Sequence, residues 1–148
     1  MAAEANPTVT VELEWQGGLR FAGRSGEVEM TMDSPPAPGA PSPVQALAFA
    51  LAGCMAMDVA VVLNKSRLPV SSLRARLDAE RSPTDPRRLV RAELHFTVTG
   101  EVPPEKMDRA LALSREKYCS VWNSLRPDIE LRTSYTIQRP EPEPRSAD

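Results

Sequence analysis

Hydrophobic and polar residues alternate along the N-terminal third of the chain, and this pattern predicts short strands. The alternation runs through residues 9–15 and again through residues 27–32, with a shorter candidate at residues 19–23. A period of two places the apolar side chains on one face of each strand. Gly17-Gly18 and Ser25-Gly26 separate the runs and are typical of turns. We therefore predict an antiparallel meander of three strands with one buried face.

A proline-rich loop and a long apolar helix follow the meander. Residues 34–43 contain five prolines, which excludes a helix or a central strand there. A helix is predicted from about residue 44 to Lys65, with Ser42 as its N-cap and Pro43 near its first position. Asp58 is the one clearly polar residue between residues 46 and 63.

The apolar helix is long enough to raise the question of a membrane span. An aspartate well inside such a span costs about 2.5–3.5 kcal/mol on insertion scales, and Asp58 occupies that position. We therefore expect a buried helix of a soluble protein. A helix that is apolar on nearly every side must be covered on every side, which one small domain hardly provides. This pattern indicates a dimer.

The remainder of the chain alternates strands with a single helix. Alternation predicts strands at residues 73–80, 90–99 and 129–137, and a second helix from Pro103-Pro104 to about Cys119. The class predicted is α+β. We expect one domain over residues 9–138, a flexible N-terminus over residues 1–8 and a disordered tail over residues 139–148.

Composition narrows the possible functions. The chain has 148 residues, 41% of them hydrophobic, and a net charge of −2 from 18 basic and 20 acidic residues. It lacks the basic excess of nucleic-acid-binding proteins. Two cysteines exclude a disulfide-dense scaffold, and with His95 as the one histidine a tetrahedral zinc site is not expected. The first eight residues lack the pattern of a signal peptide, so we expect a cytoplasmic protein that has no membrane partner.

The two cysteines are the main chemical feature. Cys54 lies in the middle of the apolar helix, and Cys119 lies at the end of the second helix. Either the two are separate core residues, or they meet in space and cycle between dithiol and disulfide. A reactive thiolate needs a nearby cation or helix N-terminus. At mid-helix Cys54 has no N-terminus beside it, so an arginine from another segment would have to supply the field.

Two segments resemble those of a known family. Ser42-Pro43, Ala-Leu-Ala-Gly-Cys at residues 50–54 and Asp58-Val59 resemble the first-cysteine helix of the OsmC/Ohr-like proteins. Leu-Ser-Arg-Glu-Lys-Tyr-Cys-Ser-Val at residues 113–121 resembles their second-cysteine segment. The order of elements agrees from about residue 9 to residue 137. Ala52-Gly53-Cys54, Asp58 and Lys65 look most like an uncharacterised branch of OsmC-like redox proteins.

The resemblance implies a fold and an activity. The fold would have antiparallel sheets packed around a long buried central helix, in an intertwined homodimer. The activity would be that of a thiol peroxidase for organic hydroperoxides, with Cys54 forming a sulfenic acid and Cys119 condensing with it to a disulfide. An external dithiol of the dihydrolipoamide type would reopen the disulfide. Neither a metal, a flavin nor a haem would be needed.

The resemblance also suggests supporting residues. Ala22-Gly23-Arg24 resembles the family segment that carries a thiolate-stabilising arginine, so Arg24 is the first candidate and Arg20 the second. The family places a glutamate directly after Ser42-Pro43, but here Val44 and Gln45 stand there, and Gln45 cannot form a charge-assisted pair with an arginine. Asp58, four residues after Cys54, shares its helix face. The missing glutamate keeps open a non-enzymatic role, either binding a small apolar ligand or sensing oxidation.

Overall fold

The computed structural model describes residues 7–140, which form two compact units that divide after Leu47. Most of the expected flexible N-terminus (residues 1–6) and most of the expected disordered tail (residues 141–148) lie outside the described residues. Arg139 and Pro140 adopt no regular secondary structure.

The first unit contains the predicted meander. Strands β1 (Glu12–Trp15), β2 (Phe21–Ser25) and β3 (Val28–Met32) pair in that order, each antiparallel to the next. Gly23 on β2 is required by close packing, because a Cβ there would lie 2.7 Å from the carbonyl oxygen of Met30. The prediction that this sheet buries one of its faces is wrong for a single chain. The apolar side chains of β1 and β3 are largely exposed, namely Leu13, Trp15, Val28 and Met30.

The proline-rich loop leads into helix α1 (Pro43–Lys65), one residue earlier than predicted. Ser42 is the N-cap, and its hydroxyl oxygen accepts a hydrogen bond from the Gln45 backbone N–H at 3.2 Å. In return, the Gln45 side-chain oxygen accepts one from the Ser42 backbone N–H at 3.0 Å. This reciprocal pair is a capping box, which satisfies two of the free N–H groups at a helix start.

Helix α1 is buried along one face only. Within the second unit Leu51, Met55, Val59 and Leu63 are buried. Phe49, Met57 and Val61 are 74%, 70% and 50% exposed. The expected cover on every side is therefore not supplied by a single chain. By length and composition α1 could cross a membrane, a criterion that core helices of soluble proteins also meet.

The second sheet contains strands β4 (Val70–Arg81), β5 (Leu89–Gly100) and β6 (Glu130–Gln138), in that order. The β4–β5 pair is antiparallel, but β6 runs parallel to β5. The expectation of purely antiparallel sheets is therefore wrong for this sheet. The physical reason is the connection: helix α2 (Pro104–Leu113) lies between β5 and β6 in the chain, and such a crossover is what parallel neighbours require.

The core of the second unit joins the sheet, α1 and α2. Alternate residues of β5 are buried because one face of the strand contacts the helices. The cluster includes the buried face of α1 and the following residues of β5, α2 and the segment beyond it: Ala92, Leu94, Phe96, Val98, Met107, Ala110, Leu111 and Cys119. Cys119 thus forms part of the core itself.

Candidate active site

The two cysteines meet beside Asp58 in the second unit. The sulfur atoms of Cys54 and Cys119 and a carboxylate oxygen of Asp58 all lie within 4.8 Å of one another. Cys54 and Asp58 are one turn apart on α1, so they share the helix face that meets Cys119. Of the two interpretations that the sequence left open, separate core cysteines are excluded. Both thiols are free, and Cys54 is partly exposed whereas Cys119 is buried.

A π-helical turn positions Cys119. The sequence predicts one continuous helix to this residue, but the α-helical part ends at Leu113 and a π turn (Ser114–Tyr118) follows. The Cys119 backbone N–H donates to the carbonyl oxygen of Ser114, five residues earlier, at 2.8 Å. The wider spacing of a π turn is frequent at functional sites. It ends at Cys119, where the chain becomes extended.

Backbone and side-chain hydrogen bonds hold the π turn and the sulfur. The Trp122 backbone N–H donates to the Cys119 sulfur at 3.3 Å. Arg115, in the π turn, donates to the carbonyl oxygen of Leu131 on β6 at 2.8 Å. Its guanidinium also lies 5.8 Å from the centre of the Trp122 ring. These contacts fix Cys119 relative to the sheet.

Ser114 fixes the Asp58 carboxylate. Its hydroxyl donates to Oδ2 of Asp58 at 2.7 Å, and the Ser114 side chain is fully buried. Within residues 48–140 Asp58 forms no ion pair. Sequence reasoning assigned Ser114 no function. The available signal was a hydroxyl on the buried stripe of α2, where Met107, Ala110 and Leu111 are apolar.

Burial keeps the Cys119 thiol protonated. The pKa of Cys119 is raised from 9.0 to about 11, chiefly by loss of hydration and to a smaller extent by the neighbouring Cys54 and Asp58. The hydrogen bond from the Trp122 N–H acts in the opposite direction, because it favours the thiolate. At neutral pH Cys119 is therefore a neutral thiol. Cys54 is the cysteine that solvent and small molecules can reach.

The other predicted site residues lie in the first unit. Arg24 on β2 is exposed and pairs with Glu12, with 3.8 Å between Nη2 and the carboxylate. Arg20 pairs with Asp33 at 3.3 Å. The Gln45 side-chain oxygen is engaged by the Ser42 backbone in the capping box, so its evident role is to begin α1. Action of Arg24, Arg20 or Gln45 on Cys54 stays a prediction.

A cavity of about 480 Å³ adjoins Asp58. It is lined by Asp58, Val61, Val62, Lys65, Ser66, Arg109, Leu113 and Tyr118. The lining thus combines apolar side chains with the cations Lys65 and Arg109 and the Asp58 carboxylate. Such a lining suits a small molecule that has both apolar and polar parts.

Comparison with known proteins identifies the family. A sequence model described as OsmC-like protein matches residues 33–134. The chain belongs to the OsmC-like family. It is also 36% identical over 127 residues to the protein YhfA of Escherichia coli K12, an alignment that covers 84% of this chain and 95% of YhfA. The predicted membership of the OsmC/Ohr-like family is thereby confirmed.

Solved structures share the fold of this OsmC-like chain. A hypothetical protein from Aquifex aeolicus VF5 superimposes with a TM-score of 0.82 and 27% identity, over 90% of this chain and 98% of that one. An organic hydroperoxide resistance protein OsmC from Legionella pneumophila, also described as a predicted redox protein, superimposes with a TM-score of 0.66 and 18% identity, over 90% and 99%. The second likeness is one of fold alone. The predicted α+β, OsmC/Ohr-like fold is confirmed.

Proposed function

We propose that this OsmC-like chain is a cysteine-based peroxidase that reduces organic hydroperoxides. The observation that carries the proposal is the pair of free thiols, an accessible Cys54 and a buried Cys119, with sulfurs no more than 4.8 Å apart. A disulfide has an S–S bond of about 2.05 Å, so a movement of less than about 3 Å closes it. Redox and hydroperoxide-resistance descriptions of proteins with the same fold support the same chemistry.

The first step uses Cys54. Its thiolate attacks the outer oxygen of the hydroperoxide, the O–O bond breaks, and the alkoxide leaves and takes up a proton to become an alcohol. Cys54 gains the oxygen as a sulfenic acid and is oxidised by two electrons. We assign this step to Cys54 because it is partly exposed, whereas Cys119 is buried and protonated.

The second step uses Cys119. Its sulfur attacks the sulfur of oxidised Cys54, the S–O bond breaks, and hydroxide combines with the thiol proton of Cys119 to leave as water. The product is the Cys54–Cys119 disulfide. An external dithiol of the dihydrolipoamide type then restores both thiols and is itself oxidised to a disulfide. The proposed cycle requires no metal, flavin or haem.

The surroundings of Cys54 complete the proposal. We assign the stabilisation of its thiolate to Arg24, with Arg20 as the second candidate, since opposite charge favours the ionised thiol. Gln45 supports the site by starting α1, and Asp58 supports it by its hydrogen bond to Ser114.

We also propose that the protein is a cytoplasmic homodimer without a nucleic-acid or membrane partner. The exposed apolar face of α1 supports the homodimer, and a monomeric mass in light scattering would contradict it.

Turnover of an alkyl hydroperoxide with dihydrolipoamide tests the peroxidase. Wild-type protein should oxidise the dithiol in proportion to peroxide, and Cys54→Ser should not. Cys119→Ser is the matched control: it should form the sulfenic acid on Cys54, detectable by mass spectrometry, but should not form the intramolecular disulfide. Equal turnover by wild type and Cys54→Ser would refute the proposal.

Ligand binding without turnover, or redox sensing, is the second candidate function. The observations that favour it are the cavity beside Asp58 and the absence of the glutamate that the family resemblance predicts directly after Ser42-Pro43, where Val44 and Gln45 stand. For ligand binding, peroxide would oxidise Cys54 no faster than an ordinary thiol, and a small amphipathic ligand would bind equally to wild type and Cys54→Ser. For redox sensing, peroxide would oxidise the cysteines, but dihydrolipoamide would not support repeated turnover.

A further inference from the structure

The cysteine pair and Asp58 form a group with three metal-binding atoms. Two sulfurs and one carboxylate oxygen lie within 4.8 Å of one another. The sequence placed Asp58 on the helix face of Cys54 and left open whether the two cysteines meet, but it did not suggest that these three residues bind a metal. The chemistry of the set is specific: two thiolates disfavour the oxygen-seeking cations Mg²⁺ and Ca²⁺ and favour thiophilic ones such as Zn²⁺.

Hydrogen bonds already orient two of the three metal-binding residues, Asp58 and Cys119. The Ser114 hydroxyl donates to Oδ2 of Asp58 at 2.7 Å and so orients the carboxylate. The Trp122 backbone N–H donates to the Cys119 sulfur at 3.3 Å and favours its thiolate form. Outer hydrogen bonds of this kind orient the ligands of natural metal sites. The two hydrogen-bond donors come from separate segments: Ser114 from the π turn that follows α2, and Trp122 from the 3₁₀ turn (Trp122–Ser124).

We propose that reduced Cys54 and Cys119, together with Asp58, bind one Zn²⁺ ion per chain. Tetrahedral Zn²⁺ with Zn–S bonds of about 2.3 Å places two sulfur ligands roughly 3.8 Å apart, and this distance is compatible with sulfurs that lie within 4.8 Å of each other. The partial exposure of Cys54 gives the ion a route from solvent and leaves the fourth position to water. On binding, the two thiol protons pass to solvent and both sulfurs become thiolate ligands.

The site would exist only in the reduced protein. A disulfide removes both sulfur ligands, so oxidation releases the ion. In balance, the zinc dithiolate, one hydroperoxide and two protons give the disulfide, free Zn²⁺, an alcohol and water. This coupling rests on the proposed peroxidase function, whereas binding of Zn²⁺ to the reduced protein does not. Zn²⁺ would thus protect the dithiol and compete with peroxide for Cys54.

Co²⁺ provides a direct spectroscopic test on the full-length reduced protein. Co²⁺ in place of Zn²⁺ should show the intense visible bands of a tetrahedral site and a thiolate charge-transfer band, at one ion per chain. An octahedral spectrum, or no charge-transfer band, would overturn the proposal. The test needs no variant, so it does not depend on a variant's folding.

Variants then separate a built site from adventitious thiol binding. Zn²⁺ affinity is measured by competition with a chromogenic chelator. Asp58→Asn should weaken it at least tenfold, and Ser114→Ala by about tenfold, the usual effect of losing an outer hydrogen bond. The matched control is Asp78→Asn, an exposed aspartate on β4 that pairs with Arg76, and it should change nothing. Equal affinity in wild type, Asp58→Asn and Ser114→Ala would overturn the site.

Peroxide treatment distinguishes failure of this inference from failure of the proposed function. If Zn²⁺ binds as described but alkyl hydroperoxide yields neither disulfide nor released metal, the peroxidase fails and the metal site stands. If the protein turns over hydroperoxide but binds no Zn²⁺, the metal site fails and the peroxidase stands.

Discussion

Burial of Cys119 has a direct consequence for its reactivity. In the Cys54→Ser variant Cys119 is the single cysteine, so its alkylation can be followed alone. The substitution removes the contribution of the Cys54 thiol to the raised pKa, but loss of hydration, the largest cause, remains. We therefore expect Cys119 in this variant to titrate well above an ordinary thiol.

The size of the effect follows from the pKa of about 11. At pH 7 a thiol with that pKa is ionised in about one molecule in 10⁴, whereas a free cysteine of pKa about 8.5 is ionised in about one in 30. The thiolate is the reacting species. Because the variant lacks the contribution of Cys54, its Cys119 should be alkylated about a hundredfold more slowly than a free thiol, and occlusion by the core adds to this.

The assay is the rate of iodoacetamide labelling, followed by mass spectrometry from neutral to strongly alkaline pH. Cys54→Ser reports Cys119, and Cys119→Ser reports Cys54 with the fold otherwise the same. The same proteins unfolded in guanidinium chloride give the rate of an unperturbed thiol. If Cys119 in folded Cys54→Ser is labelled with a pH midpoint near the unfolded value, the argument from burial is refuted.

Four further expectations follow from the same contacts. Because native Cys119 keeps its proton between pH 9.0 and about 11 while the unfolded chain releases it, the free energy of unfolding of wild type should fall by roughly 2 kcal/mol more than that of Cys119→Ala across that range; parallel stability–pH curves from urea titrations would contradict this. Ser42→Ala should cost about 1 kcal/mol in urea unfolding through loss of the cap, and no change would remove the capping argument. Arg24→Met should raise the pH at which Cys54 is alkylated while Arg20→Met should not, and an unmoved profile in Arg24→Met would exclude that assignment. Asp58→Asn in the Cys54→Ser background should lower the pH midpoint of Cys119 labelling, since the carboxylate opposes its ionisation; an unchanged or higher midpoint would contradict it.

Much of the fold could be predicted because local pattern and tertiary structure agree. The meander follows from period-two alternation, and the start of α1 follows from Ser42 and Pro43. The parallel pairing of β6 could not be predicted in the same way. Its alternation fixes which side chains share a face, but the direction of the strand depends on how the chain returns after α2.

The candidate active site, like the fold, could be predicted from the sequence only in part. The meeting of Cys54 and Cys119 was expected from two family-like segments, not from the distance between them in sequence. The π turn was not predicted, because residues 114–118 have ordinary helical character. The hydrogen bond to the Cys119 sulfur comes from the backbone of Trp122. A backbone N–H is common to nearly every residue and leaves no signature in sequence.

The charge of the site connects the two proposals. Within residues 48–140 a carboxylate and two thiols meet without an ion-paired cation, and ionising either thiol there adds negative charge beside Asp58. Peroxidase chemistry therefore requires positive charge from outside this group. Arg24 and a thiophilic metal ion are two sources with opposite consequences: an arginine leaves the Cys54 sulfur free to attack peroxide, whereas a metal ion occupies the sulfur lone pairs and slows the attack. If Arg24 supplies the charge, hydroperoxide reduction will be slowed by added Zn²⁺ and restored by a chelator.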